Sequence, residues 1–209
     1  MHIYDISQEL FTCVVYPGDA APAFTAVRRT ARGDLYNLTN FSMCAHNGTH
    51  VDAPFHFLGD GKTVDEIPLE KTVGLCYVAA HSGVLCASDA ARILQTAKTA
   101  NPEAARRILI KGEATVSLEA AEMLAEAGIF LIGVEPQSVG EETVTMAVHK
   151  ALLRREVVLL EGIRLGAVEE GVFLLSAAPV NLGGADGAPC RAVLMDISAI
   201  SNRRAAERE

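Results

Sequence analysis

A chain of 209 residues, half of them hydrophobic, is long enough to bury a sizeable core and too apolar to be a disordered tail. Its net charge of −8 argues against nucleic acid and against an anionic membrane surface as main partners. No apolar run reaches the roughly eighteen residues of a membrane helix, and the opening MHIYDISQEL carries acids where a signal peptide has a basic and then an apolar stretch.

In chain order, residues 2–6 read as a first strand, with Glu9-Leu10-Phe11 extending it. Residues 13–16 form a second apolar run, stopped by the turn residues Pro17-Gly18-Asp19. Residues 24–32 read as a strand with a polar side, and residues 36–43 as the strand that delivers the segment 45–57. A turn follows at Gly59-Asp60-Gly61, and Pro68 marks a boundary. Residues 73–80 suit a buried strand. Residues 87–97 have helical spacing with Ser88 as N-cap, and 108–111 form a buried strand. A second helix opens at Ser117 and runs to Gly128, a suitable residue for leaving a helix. Strand 129–134, helix 144–153, strand 157–160 and strand 172–176 complete the pattern.

Strands and helices alternate from about residue 73, whereas the first 70 residues are mostly strand and turn. This predicts an α/β layered fold. No repeat, low-complexity tract or linker divides the chain, so residues 1–209 are expected to form one domain. The tail, residues 202–209, reads as extending a last helix or fraying. Five cysteines, an odd number without a C-x-x-C pair, suit small core residues in a reducing cytoplasm.

Segment 45–57, AHNGTHVDAPFHF, holds three of the six histidines, His46, His50 and His56, with Asp52 among them. Imidazole nitrogens and a carboxylate in the pattern H-x3-H-x-D-x3-H are donors for a borderline divalent cation: zinc, with manganese or iron as alternatives. Gly48, the β-branched Thr49 and Val51, and Pro54 oppose a helix. A tight turn at Asn47-Gly48 feeding an extended segment puts His50 and Asp52 on one face, to which His46 must return across the turn. Cys44, two residues before His46, is the alternative soft ligand. Glu161 closes the apolar run EVVLLE, and a carboxylate buried there needs a cation. Alternatively Glu161 is simply exposed at a strand end, and His149 is an ordinary residue on the surface of its helix.

H-N-G-T-H-V-D-A-P-F-H resembles the H-x-G-T-H-x-D-x-P-x-H signature of the cyclase-like metal hydrolases, a group that includes bacterial kynurenine formamidase and isatin hydrolase. Further matches follow in order: Tyr4-Asp5-Ile6-Ser7 with Tyr16-Pro17-Gly18-Asp19; the segment from Gly133 to Val139; His149 with Glu161-Gly162; and the segment from Gly184 to Ala192. The resemblance implies a compact α/β domain round a β-barrel-like sheet flanked by helices (the swivelling β/β/α type), usually a homodimer or larger assembly. It implies that His46, His50 and Asp52 bind a first metal, that Asp52 and Glu161 bridge to a second completed by His149, and that His56 gives and takes protons. One or two ions per chain, zinc or manganese, fit this pattern. The kynurenine formamidases carry a Trp before the early P-G-D; Tyr16 stands there in this chain, which has no Trp, and is the expected substrate-binding residue. Glu135 stands where an Asp is usual. Both departures bear on substrate rather than metal.

The chemistry these residues allow is metal-assisted hydrolysis of a small amide, an arylformamide such as N-formylkynurenine or a cyclic amide, with His56 protonating the leaving nitrogen. His56 as a further ligand, or as an orienter of another group, is the competing role. Asp186 is expected to anchor a turn, with substrate contact as the alternative. Arg191 is expected to pair with an acid rather than a substrate carboxylate. Ser138 as a nucleophile lacks a G-x-S-x-G setting. The alternative function is a non-catalytic metal- or small-molecule-binding protein on the same scaffold.

Overall fold

The computed structural model describes residues 2–196, so the tail at 202–209 lies outside the described residues. In chain order the strands and helices are β1 (Ile3–Asp5), β2 (Ala23–Arg28), β3 (Leu38–Ser42), β4 (His50–Asp52), β5 (Val73–Ala80), β6 (Gly83–Leu85), α1 (Ala87–Ala100), β7 (Arg107–Lys111), β8 (Ala114–Val116), α2 (Leu118–Glu126), β9 (Leu131–Val134), α3 (Thr145–Leu153), β10 (Val158–Glu161), β11 (Gly171–Ser176), β12 (Gly187–Pro189) and β13 (Val193–Met195). Nine of these strands form one mixed sheet in the order β1-β13-β11-β5-β7-β9-β10-β4-β12.

The sheet is forced to curl. β12 lies at one edge and β13 is the second strand from the other, seven strand spacings away. In a flat sheet that is about 34 Å. Only Cys190, Arg191 and Ala192 join the two strands, and a span that short reaches about 14 Å even fully extended. The edges therefore close toward each other, and Arg164 N, in the segment after β10, donates to Ile6 O at the end of β1 at 2.8 Å. The result is a curled, half-barrel sheet in an α/β domain, which bears out the layered pattern read from the sequence and the barrel-like sheet that the family resemblance implied.

Alternation along the strands divides the interior in two. Ile108, Ile110, Ile132, Val134 and Leu159 face the helices, where they pack with Ile93, Leu94, Leu124, Leu152 and Leu153. Leu109, Leu131, Val158 and Leu160 face the other way, into the curl, with Val51, Val78, Leu165 and Leu175. The helices thus cover one face of the sheet, and the chain's own curl closes the other.

Several local expectations are corrected. Glu9-Leu10-Phe11 does not extend β1; Leu10–Thr12 is a 3-10 turn whose Thr12 N–H is capped by the Glu9 carboxylate. The strand expected over 24–32 ends at Arg28, and Thr30–Arg32 is another 3-10 turn. Residues 13–16 form no strand. Cys86, not Ser88, is the N-cap of α1, whereas Ser117, where the second helix was expected to open, caps α2 by accepting from Ala120 N. β2 and β3 pair only with each other and stand apart from the main sheet.

Leu109, fully buried on β7 between β5 and β9, reports on the inner core. Leu109→Ala is expected to lower unfolding free energy by about 2–5 kcal/mol in a denaturant titration. Val84→Ala, on an exposed edge, should change it by only about 0.5 kcal/mol or less.

Candidate metal centre

The turn before β4 is built by side chain and backbone together. Asn47 N donates to Cys44 O (3.1 Å), and Cys44 N donates to Asn47 Oδ1 (2.8 Å). Gly48 takes φ +64°, a conformation that L side chains rarely adopt. β4 then lies between β10 and β12, with His50 opposite Glu161 and Asp52 opposite Leu159. Leu159 belongs to the core under the helices, so His50, Asp52 and Glu161 all point to that face. α3 passes over them and contributes His149, only 3% exposed. β12 brings Gly187 against the imidazole of His46: a Cβ there would lie 2.7 Å from His46 Cε1.

All five side chains expected around a metal therefore meet. His46 Nδ1 lies 2.8 Å from Asp52 Oδ1. His50 Nε2 lies 3.3 Å from Asp52 Oδ1 and 3.4 Å from Glu161 Oε2. His149 Nε2 lies 3.5 Å from Asp52 Oδ2 and 3.3 Å from Glu161 Oε1. Donor atoms of His46, His50 and Asp52 stand within 4.8 Å of one another, as do those of Asp52, His149 and Glu161. His149 and Glu161 are buried, which removes the reading of both as surface residues.

The outer nitrogens of two histidines are fixed by carbonyls. His50 Nδ1 donates to Gly48 O (3.0 Å) and His149 Nδ1 to Thr145 O (2.7 Å). Each Nε2 is left to face the carboxylates. Gln137 Nε2 bonds Gly48 O at 2.6 Å and His46 O at 3.1 Å. Val139 N donates to Glu161 Oε1 at 2.7 Å.

The electrostatics ask for positive charge. Burial alone would raise Asp52, but the imidazoles of His149, His46 and His50 hold it well below the ordinary carboxylate range. Burial and the Asp52 charge push Glu161 up, and His149 and His50 outweigh them to leave it lowered. In turn, burial opposes protonation of His50 and His149, yet the two carboxylates raise both to about 10. His46 is also raised, against burial, by its bond to Asp52.

These residues fit a divalent cation. Asp52 Oδ2 is buried with no hydrogen-bond partner, an uncommon state for a carboxylate oxygen. The 3.3–3.5 Å gaps between His50, His149 and the carboxylates are wider than good hydrogen bonds. Ligands about 2.1 Å from one tetrahedral zinc stand roughly 3.4 Å apart.

A cavity of about 380 Å³ opens onto this group, with Tyr16, Asp19, Phe57, Gln137 and Ser138 among its walls. That suits a small molecule. His56 follows Pro54 in a 3-10 turn and reaches the cavity; its ring stacks on His46 with centroids 4.0 Å apart. Cys44 meets Asp19 rather than the central group, at 3.6 Å. Ser138 Oγ bonds the Thr145 hydroxyl at 2.8 Å and has no direct imidazole partner. Glu135 lies elsewhere: it accepts from Gly112 N and Leu165 N as a backbone tie and is not among the cavity walls. Arg191 pairs with Asp5, as expected. Asp186, expected to anchor a turn, instead bonds His46 Nε2 (2.8 Å) and His56 Nδ1 (3.1 Å). Sequence reasoning had the residue in view but gave it no partner, because 140 residues separate it from His46.

The fold and this donor set define a class: an α/β protein with a buried histidine–carboxylate centre between a curled sheet and the helix that crosses it. Residues 4–141 match the family model Cyclase, described as "Putative cyclase". A kynurenine formamidase of Erythrobacter litoralis is 32% identical, the match covering 93% of this chain and 94% of that one. The chain belongs to the cyclase family. A solved structure described as a "potential metal-dependent hydrolase with cyclase activity" is similar with TM-score 0.78 and 27% identity, covering 92% of this chain and 96% of that one. An isatin hydrolase A from Ralstonia solanacearum shares the fold, with TM-score 0.77 at 20% identity over 93% and 92% of the two chains.

The raised histidine values set a pH dependence with a definite sign. In protein stripped of metal by a chelator, protonated His50 and His149 stabilise the fold fully below their ordinary value of 6.5. That contribution is lost as pH rises towards about 10. Thermal unfolding of the stripped protein should therefore shift to lower temperature between pH 7 and 10. Adding zinc at pH 8 should release about two protons per centre to a pH indicator.

Proposed function

We propose that the chain is a metal-dependent hydrolase of small amides, acting on an arylformamide such as N-formylkynurenine or on a cyclic amide. The observation that carries this reading is the buried Oδ2 of Asp52, without a hydrogen bond and 3.5 Å from His149 Nε2, which itself lies 3.3 Å from a second buried carboxylate, Glu161. The kynurenine formamidase relative supports the substrate class, and the 27% identical hydrolase supports metal dependence.

In this reading His46, His50 and Asp52 hold one cation, and Asp52, Glu161 and His149 hold a second where two are bound. Zinc is the proposed ion; manganese accepts the same donors. When bound, such a cation lowers the pKa of a water from near 16 to about 7 and offsets charge developing on the carbonyl under attack. The chain's own groups supply the rest. Gly48 O and Thr145 O keep the Nε2 lone pairs of His50 and His149 aimed inward. His56, its Nδ1 engaged by Asp186, has Nε2 left to take a proton and return it to the leaving nitrogen. Tyr16 and Phe57 give the cavity aromatic walls, suited to a flat ring. The five unpaired thiols support a cytoplasmic location.

The hairpin supports a homodimer or larger homo-oligomer. A lone two-stranded ribbon is marginal in water. β2 and β3 nevertheless expose Phe24 and Phe41 at 56% and 61%, and the Phe11 ring lies 4.9 Å from the first and 6.4 Å from the second.

Purified protein, assayed for metal content and then against N-formylkynurenine, isatin and simple cyclic amides with added zinc or manganese, tests the function. Asp52→Asn should lose both metal and turnover. His56→Ala should keep its metal and lose about 10²–10⁴-fold in turnover. Stoichiometric metal with no hydrolysis of any member of the panel would instead establish a binding protein. In sedimentation velocity the native chain should run as a dimer or larger, and Phe41→Asp should shift it toward monomer.

A further inference from the structure

One carboxylate oxygen touches both halves of the site. Asp186 Oδ2 accepts from His46 Nε2 at 2.8 Å and from His56 Nδ1 at 3.1 Å. The two imidazoles stack at 4.0 Å with an interplanar angle of 30°, so their edges reach the same acceptor side by side. The backbone holds Asp186 in place. Its carbonyl accepts from Ala53 N (2.9 Å), and the carbonyl of Ala185 accepts from Val64 N (2.9 Å). Gly184 N in turn donates to Asp65 Oδ1 (2.9 Å). Gly187 then packs directly on His46 without room for a side chain.

We propose that Asp186 is a positioning residue that orients the metal-side His46 and the proton-carrying His56 through one shared oxygen. The inference rests on the hydrolase reading given above. Nδ1 of His46 faces Asp52 while Nε2–H is engaged by Asp186, the arrangement in which an outer carboxylate sets the orientation and basicity of an imidazole serving a cation. The same oxygen fixes His56 as its Nδ1–H tautomer. Its Nε2 is then free to exchange a proton with substrate, as the buried carboxylate does for the base of a catalytic triad. Asp186 forms and breaks no bond itself. It has no need to touch substrate, although its side chain is 42% exposed at the cavity wall.

The two effects separate experimentally. Zinc affinity of the native chain, Asp186→Ala and Asp186→Asn is measured by competition with a chromogenic chelator. The tautomer of His56 is read from long-range ¹⁵N–¹H correlations of the zinc-loaded protein. The rate constants kcat and KM are taken at saturating zinc. Asp186→Ala should weaken zinc binding about 10–100-fold. It should move the His56 signals from the Nδ1–H pattern toward a mixture of tautomers. A deficit in kcat of about 10²-fold should persist at saturating zinc, with KM little changed. Asp186→Asn keeps an acceptor of the same size, should fold where the alanine variant does not, and should recover part of the tautomer signature. Native zinc affinity and an unchanged His56 pattern in both variants would overturn the proposal. So would a rise in KM at unchanged kcat, which would make Asp186 a substrate contact. Affinity and tautomer are measured without substrate. A native chain that hydrolyses nothing therefore defeats the hydrolase reading alone, while these two measurements still decide the role of Asp186.

Discussion

Two carboxylates, Asp52 and Glu161, are buried close enough to share the same two histidines. Neither negative charge is tolerable there without compensation, because burial withdraws the water that would otherwise solvate it. Protons on His50 and His149 supply that compensation in one form, and a divalent cation supplies the same charge in another. The two forms compete for the same nitrogens. That competition is why the cluster reads as a metal centre rather than as an ordinary buried ion-pair network, and the bare oxygen of Asp52 points the same way.

The scaffold has been arranged to make this cluster possible. β4 is only three residues long, yet it is paired on both sides, so His50 and Asp52 are fixed by two neighbouring strands. Close approach elsewhere depends on absent side chains. Gly162, at φ +69°, passes 2.4 Å from Gly48 O as measured from where its Cβ would be, and Gly187 makes the matching concession to His46. Thr49 Oγ1 and Gln8 Nε2 both donate to Gly162 O, which ties the N-terminal segment, the histidine turn and the end of β10 together. Rigidity of this kind is what a site needs if its donors are to stay at ligand spacing.

The division of labour around His46 is the less expected part of the arrangement. Its inner nitrogen belongs to Asp52 and its outer one to Asp186, which also holds His56. The buried cluster and the His56 ring at the cavity wall are thereby joined through a single loop residue. Glu135 shows the opposite case. Its place in a family-like segment suggested a bearing on substrate, but the structure spends both its oxygens on backbone amides away from the cavity.

The histidine motif, its turn at Gly48 and the buried strands β5, β7, β9 and β10 were legible in the amino-acid sequence, because each depends on neighbours a few residues away. Gly48 needs only its own backbone conformation, and His50 and Asp52 share a face through the two-residue period of a strand. The three-residue strands β6, β8 and β12 carry too few residues to show a period, and their pairing partners alone define them. The burial of His149, the pairing of Glu161 with His50 and the two imidazoles on Asp186 were decided by tertiary structure. They depend on which strand lies beside β4 and on how far the sheet curls, and the sequence spacing of a residue records neither.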